Sequence, residues 1–284
     1  MALFSDILLT VDFDRTLTAT DSTIPQRNLD AIRYFMDNGG AFTVNTGRSI
    51  PMTKIFRDIV PTNVPLLLYN GSAAYDVSKD EVSLCKPIPL DPREVVAHLQ
   101  SRFPDLSVEI QALDAHYLFR KDEMWESYCE NNGSAWGYKA PEKIPGPFLK
   151  FSLYGEFRAN TVASMYEASP EELARCDEAQ EYVRKTYGHA VDVFRPCARI
   201  IDFHAKGVSK IQAARDLQAQ LGRKILVCVG DAFNDVPMLE GADYAFCPSD
   251  GLVAHRFENV RPCSQGAVAD VIYEKIPAIL QNRP

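Results

Sequence analysis

The sequence predicts an α/β fold that is built on a parallel sheet. Two continuous apolar runs, residues 7–11 (ILLTV) and 225–229 (ILVCV), are typical of strands that are buried on both faces. Both runs end in acidic residues, DFD after the first and GDAFND after the second. Ligands bind at the carboxyl ends of strands in open α/β sheets. We therefore expect these acidic residues to meet at one edge of the sheet, facing a cation or a substrate.

The residues after the first run suggest a nucleophile and an acid/base partner. Asp12 follows the run directly, and Asp14 lies two positions later. Two carboxylates buried without a partner would be destabilising, so their place at a strand end favours chemistry over packing. An alternative is that Asp14 caps a short helix at residues 15–17.

Composition restricts the classes of protein to which this chain can belong. The 284 residues suffice for one large domain or two ordinary ones, and 46% hydrophobic residues can form a sizeable core. The formal net charge of −8 disfavours nucleic acid and anionic membranes as partners. Seven cysteines without a C-x-x-C pair favour reduced thiols over disulfides or a zinc site. With no signal-peptide pattern and no membrane-length apolar run, we expect a cytoplasmic protein.

The segment after the first strand predicts a helix, a strand and an anion-binding turn. A helix is expected over residues 25–38, and a strand over 41–44. Thr46, Gly47 and Arg48 follow, before a helix that we expect to begin near Pro51. Thr46 could donate a hydrogen bond to a phosphoryl oxygen, although a Thr at this place could equally cap the helix.

A third strand is predicted over residues 64–69, and it ends in Asn70-Gly71. This dipeptide is most often a tight turn, and contact between Asn70 and a substrate is the alternative.

The middle of the chain has a different pattern. Prolines cluster after Cys85, followed by a predicted helix over residues 93–103 and a strand over 106–111. Further helix-like and strand-like segments cover residues 121–131, 148–154, 170–187 and 190–194. We interpret residues 85–197 as an α+β domain inserted into a core that is formed by residues 1–84 and 198–284.

The core then resumes with a strand over residues 200–203 and a helix from Lys210 to Leu221. Lys210, in the first turn, could direct its charge at a phosphate, although a lone lysine is more often solvated.

The two acidic strand ends together predict a metal site. Asp12, Asp14, Asp231 and Asp235 would share one edge, and four carboxylates that close cannot all be ionised without a cation. Hard oxygen ligands of this kind favour Mg²⁺.

These motifs jointly resemble the haloacid dehalogenase superfamily, and specifically its Cof-type phosphatases with a C2 cap. The matching stretches are DFDRT, Thr46-Gly47-Arg48, Lys210 within GVSK, and GDAFND. The resemblance implies a Rossmann-like core with a cap inserted between Asn70 and Lys210. Asp12 would be the nucleophile and Asp14 the general acid/base.

The same resemblance implies roles for the other candidates. Thr46 and Lys210 would hold the transferring phosphoryl group. Asp12, Asp231 and the backbone carbonyl of Asp14 would bind Mg²⁺, supported by Asp235. The remaining candidates would contact the substrate: Gly47, Arg48, Asn70, Gly71 and Asn234. The chain departs from the family pattern at Arg15, where Gly is common, at Asp202, where Glu is frequent, and in the loop Cys247-Pro248-Ser249-Asp250.

We therefore expect a Mg²⁺-dependent phosphatase that hydrolyses small phosphate monoesters, such as sugar phosphates or phosphorylated cofactors, through an aspartyl phosphate. Its partner would be a small molecule, with no nucleic acid and no membrane involved. A phosphomutase with the same nucleophile is an alternative. A phospho-accepting signalling module is another, but it would not need so large an insert.

Overall fold

The computed structural model of the chain describes residues 2–155 and 167–281. These residues form two compact units, neither of which is continuous in sequence. The core unit comprises Met1–Gly47, Arg57–Ser83 and Ser209–Pro284. The insert unit comprises Arg48–Phe56 and Leu84–Val208.

The described residues form fourteen strands and eight α-helices. They are β1 (Ile7–Val11), α1 (Gln26–Asp37), β2 (Ala41–Val44), β3 (Leu66–Leu68), β4 (Ala73–Asp76), β5 (Glu81–Cys85), α2 (Pro92–Arg102), β6 (Ser107–Ala112), β7 (His116–Leu118), α3 (Glu123–Asn131), β8 (Trp136–Tyr138), β9 (Phe148–Tyr154), α4 (Pro170–Tyr187), β10 (Val191–Cys197), β11 (Ile200–Ala205), α5 (Lys210–Gln220), β12 (Ile225–Val229), α6 (Val236–Glu240), β13 (Tyr244–Pro248), β14 (Glu258–Val260), α7 (Ala267–Asp270) and α8 (Ile276–Gln281). No helix in these two ranges is long and apolar enough to cross a membrane.

A five-stranded parallel sheet forms the centre of the core unit. Its strand order is β14-β13-β12-β1-β2, so the two apolar runs of the sequence are neighbours. Val11 at the end of β1 lies in register with Val229 of β12 and with Val44 of β2. The predicted α/β fold with a parallel sheet is confirmed, and every residue of β1 and β12 is buried. Consequently the acidic residues after β1 and β12 begin side by side.

The segment after β2 also forms a smaller three-stranded sheet, in the order β3-β4-β5. β3 is shorter than the predicted strand over residues 64–69, and it extends the parallel arrangement through one bridge between Asn45 and Leu67. β3 and β4 are antiparallel.

The insert unit contains a six-stranded sheet in the order β10-β11-β9-β6-β7-β8. Ile110, Phe151 and Phe203 are in register on three neighbouring strands and belong to one apolar core with residues of α2 and α4. Alternate positions of the same strands are polar and buried, as at Glu109 and Asp202. This mixture of helices and sheet agrees with the predicted α+β character of the insert.

The segment Arg48–Phe56 belongs to the insert unit, although it precedes β3 in the chain. The helix that the sequence predicts to begin near Pro51 is instead a five-residue 3-10 helix, Pro51–Ile55. The hydroxyl of Thr53 donates to the carbonyl of Ile50 at 2.7 Å, which competes with regular helical bonding. The division into residues 1–84, 85–197 and 198–284 stays a prediction of where catalytic core and cap divide.

Candidate active site

Asp12 stands where β1 ends, and its carboxylate is paired with Lys210. The Asp12 amide still donates to the carbonyl of Val229 at 2.9 Å, which fixes Asp12 at the sheet edge. Lys210 is the first residue of α5, which Ser209 caps by accepting a hydrogen bond from the Gln212 amide. The Lys210 ammonium donates to Oδ1 of Asp12 at 2.5 Å. Only 4% of Lys210 is exposed, so the alternative of a solvated lysine is wrong.

The same ammonium also reaches the second acidic strand end. Nζ of Lys210 lies 2.7 Å from Oδ1 of Asp235. Oδ2 of Asp235 accepts hydrogen bonds from the amides of Asp231 and Ala232, each at 3.1 Å. A Cβ on Gly230 would lie 2.6 Å from the Cβ of Asp235, so only glycine fits where β12 ends. Asp235 therefore holds the loop that carries Asp231.

Thr16 is a site residue to which the sequence analysis assigned no role. Its hydroxyl donates to Oδ1 of Asp231 at 3.0 Å, and both residues are buried. Nε of Arg15 lies 3.9 Å from Oδ2 of Asp231. Arg15 has a φ of 59°, in the left-handed region that favours glycine. This conformation gives a physical reason for the glycine that is common here in the family.

Asp14 is exposed and lies inside an irregular turn, Phe13–Leu17. The turn closes with a 3.0 Å hydrogen bond from the Thr18 amide to the Phe13 carbonyl. Because Arg15 has non-helical backbone angles, residues 15–17 do not form the helix that the alternative would have Asp14 cap.

Asp12 and Asp231 are difficult to ionise. Burial raises the pKa of Asp12 to about 7, with Lys210 opposing the shift and the charges of Asp235 and Asp14 adding to it. Burial and the charges of Asp235 and Asp12 raise the pKa of Asp231 to about 8. Burial alone would lower the pKa of Lys210, but Asp12 and Asp235 raise it above its usual range. If fully ionised, the three carboxylates would carry more negative charge than Lys210 compensates.

This excess of negative charge makes the cluster suitable for a divalent cation. One carboxylate oxygen from each of Asp12, Asp231 and Asp235 lies within 4.8 Å of the others, and all three residues are buried. Hard oxygen donors at such spacing are those that Mg²⁺ and similar cations take. The residues present therefore fit the predicted metal.

Thr46 and Asn70 lie next to the end of β1. The Asn45 amide donates to the Val11 carbonyl at 2.8 Å, and the Thr46 amide to the Leu67 carbonyl at 2.9 Å. The Asn70 amide donates to the Thr46 carbonyl at 3.0 Å. These hydrogen bonds fix the position of Thr46, which is buried. Because Val11 is in register with Val44, Thr46 lies one residue further along its strand direction than Asp12 does.

Gly71 and Asn45 fix the start of α5. Gly71 has a φ of +101°, and a Cβ on it would lie 2.5 Å from the Ser209 carbonyl oxygen. The Asn45 side-chain amide donates to the Lys210 carbonyl at 2.9 Å. Gly71, predicted as a substrate contact, therefore also has a packing role that brings the chain close to Lys210.

The other predicted substrate contacts are Gly47, Asn234 and Arg48, and each has different neighbours. A Cβ on Gly47 would lie 3.0 Å from Oδ1 of Asn70, so these two are neighbours. Asn234 is half-buried in the 3-10 turn Phe233–Asp235. Arg48 belongs to the insert unit, where its guanidinium donates to Oδ1 of Asn132 at 2.9 Å. Contact of these residues with a substrate stays a prediction.

Comparison with known proteins agrees with this arrangement of strand ends. A sequence profile of haloacid dehalogenase-like hydrolases matches residues 9–251. The chain belongs to this family. The matched range holds the two acidic strand ends, Thr46 and Lys210, and the resemblance seen in the sequence is confirmed. A search of curated proteins found no match.

Solved structures of the haloacid dehalogenase superfamily share the fold. One hydrolase from Bacteroides thetaiotaomicron is 17% identical, with a TM-score of 0.76 over 93% of this chain and 97% of its own. A hydrolase from B. subtilis is 18% identical, with a TM-score of 0.76 over 94% of this chain and 99% of its own. A subclass IIB sugar phosphatase is 15% identical, with a TM-score of 0.74 over 95% of this chain and 99% of its own.

Proposed function

We propose that this haloacid dehalogenase-like hydrolase is a Mg²⁺-dependent phosphatase that hydrolyses small phosphate monoesters through an aspartyl phosphate. The observation that carries this proposal is the buried Asp12 carboxylate at the end of β1, which Lys210 holds beside Asp231 and Asp235. A carboxylate oriented in this way can act as a nucleophile, and the neighbouring ammonium reduces its repulsion from an anionic phosphoryl group.

In the proposed first step, an oxygen of Asp12 forms a bond to phosphorus while the bond to the leaving alkoxide breaks. Asp14 gives its proton to that alkoxide, and its exposed position leaves room for a leaving group. In the second step, Asp14 takes a proton from water, which attacks phosphorus and releases phosphate from Asp12. One residue thus serves as acid and then as base.

Charge neutralisation is the other requirement of phosphoryl transfer. The ammonium of Lys210 and the hydroxyl of Thr46 would hold phosphoryl oxygens. Mg²⁺, held by Asp12, Asp231 and the Asp14 carbonyl with Asp235 in support, would neutralise further negative charge on them when bound.

A structural relative and the charge of the chain support the proposed substrate class. One named structural relative is a sugar phosphatase, which supports sugar phosphates or phosphorylated cofactors as candidates here. The net charge of −8 argues against nucleic acid as a substrate. All seven cysteines are free, which supports a cytoplasmic location.

The test separates the two aspartates with an aryl phosphate, whose leaving group needs little protonation. Asp12→Asn removes the nucleophile, so no covalent intermediate should form. Asp14→Asn should still phosphorylate Asp12 but break the phosphoenzyme down about 10² to 10⁴ times more slowly. Acid quenching and mass spectrometry should then show one phosphoryl group on the peptide that contains Asp12. Asp37→Asn, at an exposed position at the end of α1, is the matched control and should behave as wild type.

Three results would contradict the proposal: an adduct on another residue, full activity of Asp12→Asn, or full turnover in the presence of EDTA. Ca²⁺, which prefers more ligands than Mg²⁺, should inhibit. Isomerised product without free phosphate would indicate the phosphomutase alternative.

A further inference from the structure

A second buried polar cluster lies in the insert unit, where α3 packs on β6 and β7. It consists of Glu109 on β6, His116 on β7 and Cys129 on α3, each at most 1% exposed. Nδ1 of His116 lies 2.7 Å from Oε1 of Glu109 and 3.8 Å from Sγ of Cys129. One ligand atom from each residue lies within 4.8 Å of the others. Carboxylate, imidazole and thiol on three different elements thus face a common point.

Neighbouring side chains orient two of these three groups. Trp125 Nε1 donates to Oε1 of Glu109 at 2.9 Å, and Gln111 Nε2 donates to Oε2 at 3.0 Å. On the other side of the imidazole, Nε2 of His116 lies 2.8 Å from Oγ of Ser49. Outer hydrogen bonds of this kind to ligating histidines and carboxylates are a regular feature of protein metal sites.

Two of the three groups, the Glu109 carboxylate and the Cys129 thiol, can supply negative charge to a divalent ion. Burial alone would raise the pKa of Glu109, but His116, Lys150 and Gln111 lower it to about 2, so the carboxylate is ionised. Burial and the charge of Glu109 raise the pKa of the Cys129 thiol above its usual range. With Glu109 and Cys129 both bound as anions, the two ligands would balance the charge of a divalent ion.

We propose that Glu109, His116 and Cys129 form a zinc site that joins α3 to strands β6 and β7 of the sheet. Nitrogen, oxygen and sulfur donors together suit Zn²⁺ rather than Mg²⁺. Donor atoms around tetrahedral zinc lie about 3.3 to 3.6 Å apart. Sγ of Cys129, 3.8 Å from Nδ1 of His116, is already close to this separation. Oε1 of Glu109, 2.7 Å from the same nitrogen, must move away by about 0.6 Å. The ligands lie seven and thirteen positions apart. No zinc motif in the sequence has that spacing, which is why sequence analysis did not find the site.

Cobalt is the probe for this site because a sulfur ligand gives Co²⁺ a near-ultraviolet charge-transfer band that aspartates alone cannot give. Expression of the full chain in medium with cobalt in place of zinc lets the buried site fill during folding. We expect wild type to show the band, and Cys129→Ser to lose it. Cys176→Ser is the matched control, because Cys176 is a buried thiol of the same unit outside the cluster, and it should keep the band.

X-ray absorption at the zinc edge of wild type gives a second measurement that does not depend on a variant folding. It should show one sulfur at about 2.3 Å together with nitrogen or oxygen ligands. A zinc spectrum with only oxygen ligands, or a cobalt protein without the band, would overturn the proposal. Both measurements report binding, so failure of phosphatase activity would not affect them.

Discussion

The ammonium of Lys210 lies 2.5 Å from the carboxylate of Asp12, although the two residues are 198 positions apart. The pair joins the end of β1 to the start of α5, and it is buried. Its position means that Lys210 stabilises the carboxylate cluster as well as serving the proposed chemistry.

Replacement of Lys210 by Met should destabilise the protein by about 3 kcal/mol in the presence of EDTA, because removing one member of a buried ion pair leaves uncompensated charge. Urea unfolding would measure the change. The control is Lys224→Met, since Lys224 forms an exposed pair with Asp6 and should change stability by no more than about 0.5 kcal/mol. Equal losses in both variants would contradict the role of Lys210.

Replacement of Thr16 by Val should weaken Mg²⁺ binding about 10- to 100-fold, because it removes the hydroxyl that orients Asp231. Isothermal titration of the metal-free protein would measure this. Thr10→Val is the control: the buried Thr10 hydroxyl, on β1, has no hydrogen-bond partner among residues 2–155 and 167–281. That variant should bind Mg²⁺ as wild type does, and equal weakening in both would refute the prediction.

Without metal, the protein should lose stability as the pH rises. Folding raises the pKa values of Asp12 to about 7 and of Asp231 to about 8 from 3.8. The folded state therefore binds more protons than the unfolded state between these limits, and the stability that this adds is lost as pH rises through the folded values. In EDTA, Tm should fall between about pH 5 and about pH 8.

Mg²⁺ should raise Tm more at the upper end of this pH range than at the lower end, because it competes with protons for the same carboxylates. Asp231→Asn should flatten the pH dependence in EDTA, since its amide does not titrate. A Tm that rises with pH in wild type under EDTA would show that the cluster does not control stability.

Arg15→Gly should be more stable than Arg15→Ala by about 1 kcal/mol, because both lose the guanidinium but only glycine adopts a φ of 59° without strain. Thermal unfolding of the two variants at one pH would give the difference. If alanine were as stable as glycine, the backbone at this position would not be strained.

Prediction from sequence was most successful for helices and strands whose limits are marked by neighbouring residues in the chain. β1, β2, β9, α4 and β12 coincide with the predicted residues because apolar runs and prolines define their limits. Four carboxylates are predicted to share one edge, because parallel neighbours present their carboxyl ends together: Asp12, Asp14, Asp231 and Asp235. The structure groups Asp12, Asp231 and Asp235 within 4.8 Å, whereas Asp14 is exposed and lies outside that group.

Features that depend on tertiary contact could not be predicted in this way. The sequence predicts that the Lys210 ammonium binds a phosphate. In the structure it donates hydrogen bonds to the carboxylates of Asp12 and Asp235. The role of Thr16 depends on Asp231, 215 positions away. Short strands such as β7 and β8 have only three residues each, too few for a period to be visible.

The discontinuity of the two units has a consequence for biosynthesis. Every residue of the insert unit, including Arg48–Phe56, has left the ribosome once Val208 has emerged, so that unit can complete its own sheet during translation. β1 emerges early but must wait for β12, its neighbour in the parallel sheet, which is translated after the whole insert. In the nascent chain, β1 would thus have one side unpaired while the insert folds. During that interval its exposed edge is open to chaperones or to aggregation.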